Sequence, residues 1–156
     1  MAQGFRIGLL EEHDFSEAVR VMCVSNREAS IAAVEAGVHS ATDVTGFGLL
    51  GNISQMVRPP LGATLHLRSV PRLAALSKLP KPPGPRCPAK SNLDYVRARV
   101  SLVGFEDSLD HEVLVDPQTS GGLLVAATSS SAARLLESGY VQVGEVNDSG
   151  RVEIVA

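Results

Sequence analysis

Thr42-Asp43-Val44-Thr45-Gly46-Phe47-Gly48-Leu49-Leu50-Gly51 is the stretch on which the fold turns. Val38 to Val44 reads as a short strand, Thr45-Gly46 as a turn, and Phe47 to Val57 as a helix that Pro59-Pro60 brings to an end. Gly46, Gly48 and Gly51 spell G-x-G-x-x-G at this corner. That is the spacing of a dinucleotide-binding fingerprint, where glycines let the backbone approach a pyrophosphate at a helix N-terminus. The fingerprint also wants an acidic residue about 20 positions on, and none occurs before Asp94, although Arg68 could stand in as a phosphate-preferring residue. A second reading is that the glycines only permit tight packing, with Phe47, Leu49 and Leu50 in the core. A third centres on Asp43, a carboxylate at the end of an apolar strand beside a helix N-terminus. It either caps the helix or offers oxygen to a hard cation such as Mg²⁺, which takes one or two protein carboxylates plus phosphate oxygens. If Thr45 is the cap, Asp43 is left free. The residues alone leave these readings open.

Upstream, Ser16 to Cys23 and Asn26 to Ala36 read as two consecutive helices or one interrupted helix, which Ser16 and Asn26 can cap, with Gly37 as a left-handed stop. Downstream, Leu61 to Arg68 alternates Ala63, Leu65 and Leu67 as a half-buried strand. Pro71 to Lys90 carries Pro80, Pro82, Pro83, Pro85 and Pro88, which predicts an extended surface loop. Ser91 is then expected to cap a helix from Asn92 to Val100. His111 to Val115 leads into the turn at Asp116-Pro117, and Gly122 to Ala127 reads as a buried strand. Ser130 to Ser138 is predicted helical, with Gly139 as its stop. Val141 to Val146 and Arg151 to Val155 are expected to pair as a hairpin around Asn147-Asp148-Ser149-Gly150. Alternating strands and helices predict an α/β sandwich.

A second glycine segment, Asp116-Pro-Gln-Thr-Ser-Gly-Gly122, lies between two apolar stretches. Thr119, Ser120 and the N–H groups of Gly121 and Gly122 make a compact set of donors, and successive amides in such a turn form an anion-binding concavity. Asp116 adds a second carboxylate for metal or water. The plainer reading is an ordinary side-chain-stabilised turn with the diglycine as a bulge.

With 156 residues, 44% hydrophobic and 20% charged, the chain fits one ordinary globular domain. No apolar run approaches the ~20 residues of a membrane helix, and residues 1–6 lack a signal-peptide core. Cys23 and Cys87 form neither a disulfide framework nor metal-site spacing, so a cytoplasmic location is the default. His13, His39, His66 and His111 are scattered without ligand spacing. Between Val44 and Leu93 there is no acidic residue, while Arg58, Arg68, Arg72, Lys78, Lys81, Arg86 and Lys90 all fall there. Clustered charge of this kind marks either a surface that meets an anion or a solvated basic loop.

Taken together, the two glycine segments resemble the hallmark segments of the C-terminal domain of selenophosphate synthetase (selenide, water dikinase), in the aminoimidazole ribonucleotide synthetase-like superfamily. Ser25-Asn26-Arg27, Ser91-Asn92-Leu93-Asp94-Tyr95-Val96 and Val143-Gly144-Glu145-Val146 extend the resemblance over nearly the whole chain. It implies an α/β (α+β) sandwich, a mixed sheet flanked by helices, covering an ATP-binding N-terminal half that dimerises. The implied reaction makes selenophosphate from selenide and ATP with Mg²⁺, releasing AMP and phosphate. By position, Asp43 matches the metal-binding aspartate, with Asp116 as a further candidate. Thr45, Gly46, Gly48, Thr119, Ser120, Gly121 and Gly122 match the phosphate and nucleotide cleft. The family's catalytic Cys or selenocysteine and Lys belong to the N-terminal half, so no catalytic residue is expected among residues 1–156 and this chain alone is expected to be inactive. Asn52 stands where the family often has His, and Arg86-Cys-Pro-Ala-Lys90 replaces a glycine-rich approach. The expected partners are the N-terminal half, ATP and selenide, with no nucleic acid and no membrane. A non-catalytic nucleotide-, metal- or partner-binding remnant and a dinucleotide-binding oxidoreductase module are the alternatives.

Overall fold

The structure is a computed structural model that describes residues 5, 6, 8–79, 87–106 and 108–156. Its helices are α1 (Glu12–Met22), α2 (Arg27–Glu35), α3 (Gly48–Met56), α4 (Cys87–Arg97), α5 (Leu109–Glu112) and α6 (Ser129–Glu137). The strands are β1 (Ser40–Asp43), β2 (Gly62–His66), β3 (Ser101–Val103), β4 (Leu123–Ala126), β5 (Gly144–Asn147) and β6 (Arg151–Val155). They form two sheets, an antiparallel β1–β4 ladder and a four-stranded sheet of order β3-β6-β2-β5. The larger sheet is mixed: β6 runs parallel to both β2 and β3, and β5 antiparallel to β2. This is the mixed sheet flanked by helices that the sequence implied, divided into two pieces.

The main core forms where α3 and α4 cover the four-stranded sheet. Leu50, Ile53 and Val57 from the α3 side and Leu93 and Val96 from α4 meet Ala63, Leu65, Val152 and Ile154. Each fully buried aliphatic side chain contributes about 1.5–3 kcal/mol through removal of apolar surface from water. A smaller cluster of Ala33, Ala36 and Leu135 packs α2 and α6 against Leu123 and Val125 of β4. The Tyr140 hydroxyl reinforces it by donating to Ala29 O at 2.8 Å, and burial raises the pKa of that phenol. Gly37 (φ 77°) and Gly139 (φ 90°) are the left-handed stops expected after α2 and α6.

Several boundaries differ from expectation. Helix α1 begins at Glu12, and Ser16 lies inside it with its hydroxyl donating back to Glu12 O at 2.8 Å. The acidic first turn starts the helix instead: the Asp14 carboxylate accepts from the Glu11 N–H at 3.2 Å, and acidic groups suit a helix N-terminus. Helix α4 starts at Cys87, so Ser91 is interior and not a cap. Pro88 falls in the first turn, where a missing N–H removes no helical bond. The segment from Pro71 is likewise not one long loop, because Ala74–Lys78 forms a 3₁₀ helix. Residues 80–86, with most of the prolines behind that expectation, lie outside the described residues. His111 falls in the short helix α5, and β4 is half-buried along its length where a buried strand was expected.

The terminal hairpin is the largest correction. β5 and β6 are not neighbours, because β2 lies between them and pairs with both. The turn chemistry itself is as read: Ser149 N–H donates to Asn147 Oδ1 at 3.0 Å, and Gly150 has φ 68°. What differs is span. The loop straddles the start of β2, where a Cβ on Gly62 would lie 2.7 Å from Asn147 Oδ1. A glycine there admits the crossing, and β2 gains a hydrogen-bonded partner on each edge.

Candidate functional site

The β1–β4 ladder brings the two glycine segments together. Its last rung pairs Asp43 with Leu123. Beyond it, Val44 N–H donates to Gly122 O and Gln118 N–H to Thr45 O, both at 3.0 Å. Segments 42–51 and 116–122 therefore run side by side. At the start of α3, Gly48 N–H is held by Thr45 O at 3.0 Å and Leu50 N–H by Leu114 O at 2.9 Å. Part of the amide set of this helix N-terminus is thus satisfied within the protein.

The glycines divide by what surrounds them. Gly48 has φ 68°, and a Cβ on it would lie 2.7 Å from the carbonyl carbon of Val115. A Cβ on Gly51 would lie 2.5 Å from Cβ of Phe47, and one on Gly121 would run into Val44 O. Close approach of the chain to itself accounts for these three, which is the packing reading of the motif. Gly46 and Gly122 are different. Both are exposed, neither has a positive φ, and a Cβ on either would meet nothing within 4 Å. The fold itself does not demand glycine at these two positions.

Three asparagine amides tie the corner. Asn92, in α4, donates to Gly46 O and to Val115 O, each at 2.9 Å. Asn26, at the start of α2, donates to Gly121 O at 3.0 Å, and its side chain does not cap the helix as expected. Asn52 donates to Gly48 O at 2.7 Å, one turn back in α3. Motif reading gave none of these a role in the site. Asn26 was visible as a helix cap and as part of Ser25-Asn26-Arg27, and Asn92 as part of Ser91-Asn92-Leu93, because the carbonyls they hold are 95 and 46 residues away. Beside the corner, Phe47 stacks on Tyr95 with ring centroids 4.8 Å apart, and Arg99 lies over the Tyr95 ring at 4.5 Å.

Asp43 and Asp116 are both exposed at this corner, as is Thr119, while Thr45 and Ser120 are half-buried. Gln118 Nε2 donates to the Asp116 backbone O at 3.1 Å and to its carboxylate at 3.4 Å. Among the described residues no three or more His, Cys, Asp or Glu side chains gather as a metal cluster. One or two carboxylates with neighbouring hydroxyls are nevertheless a donor set that fits Mg²⁺, a cation completed by phosphate oxygens and water. A cleft of about 1990 Å³ borders the second segment and is lined by Val44, Asp116, Thr119, Ser120, Gly121 and Gly122. Asp43, Thr45, Gly46 and Gly48 are not part of its lining.

The basic stretch is partly accounted for by internal pairs. Arg72 pairs with Asp110 and donates to Leu67 O at 2.9 Å, and Lys78 Nζ contacts both Asp14 carboxylate oxygens at 2.8 and 3.0 Å. Hydrogen bonding between Lys78 and Asp14 lowers the pKa of Asp14 and raises that of Lys78. The histidines do not gather in the structure. His13 is exposed beside Glu11 and Asp14, and buried His111 meets Ser108 Oγ through Nδ1 at 2.7 Å.

Residues 12–156 match the family described as AIR synthase related protein, C-terminal domain. The chain belongs to this family. Similar curated proteins are selenide, water dikinases. That of Carboxydothermus hydrogenoformans is 33% identical over 140 residues, covering 88% of this chain and 40% of its own length. That of Photorhabdus laumondii is 36% identical over 156 residues, covering 94% and 44%, and that of Clostridioides difficile is 29% identical over 131, covering 83% and 38%. This AIR synthase related C-terminal domain thus spans about two fifths of the length of the relatives it matches. Among its described residues no helix is long and apolar enough to cross a membrane.

Proposed function

We propose that this chain is a single domain acting as the C-terminal half of a selenide, water dikinase, contributing phosphate- and metal-holding groups to the ATP-dependent phosphorylation of selenide. The observation that carries the reading is the joining of segments 42–51 and 116–122 by the β1–β4 ladder and the Val44–Gly122 and Thr45–Gln118 bonds. Phosphoryl transfer asks a protein chiefly for positioning and charge neutralisation, and both are within the reach of this corner. Asp43, with Asp116, would hold Mg²⁺, which when bound neutralises phosphate charge. Thr45, Thr119 and Ser120 would orient phosphate oxygens. Gly46 and Gly122, which the fold does not require, would leave room for a ligand to approach the backbone. The groups that attack or cleave would come from the N-terminal half, and the assembled enzyme would be dimeric, as the resemblance implies, and cytoplasmic, the default read from the sequence.

Asn52, the residue that departs from the family pattern, donates its amide to Gly48 O within α3. The experiment is to combine the chain with the N-terminal half of a selenide, water dikinase and follow AMP formation. The expected result is AMP release that requires selenide, Mg²⁺ and both halves. A mixture of folded halves that forms no AMP with ATP, Mg²⁺ and selenide would sink the reading.

A further inference from the structure

We propose that Asn92 is a positioning residue of this corner: its amide fixes the Gly46–Phe47 peptide against the Val115 carbonyl, and so sets how the first glycine segment and Asp116 face a bound phosphate. The catalytic part of this inference rests on the function proposed above; the structural part does not. Asn92 belongs to neither segment. It projects from α4, is only 9% exposed, and directs one amide group at Gly46 O and Val115 O, each at 2.9 Å. A primary amide has two N–H donors, and two carbonyls from the two sides of the site receive them. One acceptor lies inside the first segment. The other lies immediately before Asp116, the first residue of the second.

The consequence follows from the planarity of the peptide bond. In a trans peptide the carbonyl and the following N–H point in opposite directions. Tying Gly46 O to Asn92 therefore turns the Phe47 N–H away from α4. Gly46 has no side chain to restrict its own conformation, and open space lies where a Cβ would be. The tether at its carbonyl supplies the order that the residue lacks. At Val115 the same amide holds the backbone against which Gly48 packs, so the spacing of the two segments and the setting of Asp116 depend on one side chain.

Two variants of the chain test this. Asn92→Ala removes both donors. Exchange of the Val44 and Gln118 amides, which bond across the two segments, is expected to accelerate about tenfold, the effect of losing roughly one hydrogen bond's worth of local stability. Amides of the β2–β6 pairing should stay within about twofold of wild type in the same measurement. Asn92→Asp keeps the shape but presents a carboxylate to two carbonyls. Its Val44 and Gln118 amides should lose protection at alkaline pH and recover it as the pH falls, with the change lying above the ordinary carboxylate range, because burial and the two facing carbonyls favour the protonated carboxyl that donates again. In the two-half assay, Asn92→Ala should lower kcat about tenfold or more with little change in KM for ATP, because misplacement of groups costs rate.

Wild-type exchange at Val44 and Gln118 in Asn92→Ala overturns the proposal. So does equal acceleration in the four-stranded sheet, failure of both variants to fold, or an Asn92→Asp profile flat with pH. If the wild-type halves form no AMP, the functional reading falls, and the exchange and pH results still decide the role of Asn92.

Discussion

In the four-stranded sheet, β2 and β6 bury Ala63, Leu65, Val152 and Ile154 beneath α3 and α4. In the β1–β4 ladder no strand residue is fully buried, and Asp43 and Ala41 are exposed. The two regions are fastened by different means. The larger sheet is held by apolar burial, which is non-directional and strong in sum. The ladder packs on α2 and α6 through Leu123 and Val125, and its glycine segments are held by backbone bonds at Val44 and Gln118 and by the amides of Asn26 and Asn92. Hydrogen bonds contribute less net stability each, about 0.5–1.5 kcal/mol, but they fix direction. If the corner sets donors and carboxylates around a charged ligand, as proposed above, that kind of fastening serves it, whereas a sheet that carries the fold is served by burial.

The largest expected effect breaks the burial side of this contrast. Leu65, 1% exposed at the centre of the sheet, should lose about 2–5 kcal/mol when changed to Ala, through lost transfer energy and the cavity left behind. Leu124→Ala in half-buried β4 should cost less than half as much. Urea unfolding of both variants measures the difference, and equal losses would erase the distinction between the regions.

Next come the glycines that the fold needs. Gly48→Ala forces a Cβ into the Val115 backbone at a left-handed φ and should cost about 1–3 kcal/mol. Gly121→Ala, aimed at Val44 O, should fall in the same range by denaturant titration.

A smaller effect belongs to the latch between α1 and the 3₁₀ helix at Ala74–Lys78. The Lys78 hydrogen bond lowers the pKa of Asp14 in the folded state, so the folded protein binds this proton less readily than the unfolded chain. The stabilisation is complete above the ordinary carboxylate value, near pH 4, and is lost as the pH falls through the lowered folded value. Lys78→Met should flatten that part of the acid unfolding curve; an unchanged curve would show that the latch does not contribute. The smallest stability effect is expected at Gly46 and Gly122. Ala at either should leave stability unchanged or raise it by up to about 1 kcal/mol, since the backbone there is ordinary. The same variants should lower selenide-dependent AMP formation in the two-half assay. Stability and activity would then separate at these two glycines and fall together at Gly48 and Gly121.

Local chemistry was legible where neighbours in sequence decide the outcome. The strand, turn and helix around Thr45-Gly46 stand where the apolar pattern and Pro59-Pro60 put them, and Gly37 and Gly139 end their helices. Residue type misled where two local signals competed. Ser16 and Ser91 suit a cap, yet the acidic turn at Glu11–Asp14 and a first-turn Pro88 started their helices earlier. Asn147-Asp148-Ser149-Gly150 makes a sound turn, but turn chemistry does not say which strands it joins, and β2 took the place between β5 and β6.

By itself the sequence determined the secondary elements near the glycine segments, which rest on periodicity and turn residues set by contacts within a few residues. The family was legible through the resemblance carried by the two glycine segments. Only the tertiary structure decided that the two segments are neighbours and that Gly48, Gly51 and Gly121 serve the fold while Gly46 and Gly122 do not. It also assigned Asn26 and Asn92 to the corner. The physical reason is range: a carbonyl 95 residues from its donor, or a Cβ that would strike a backbone atom from another element, has no counterpart in local sequence until the chain is packed.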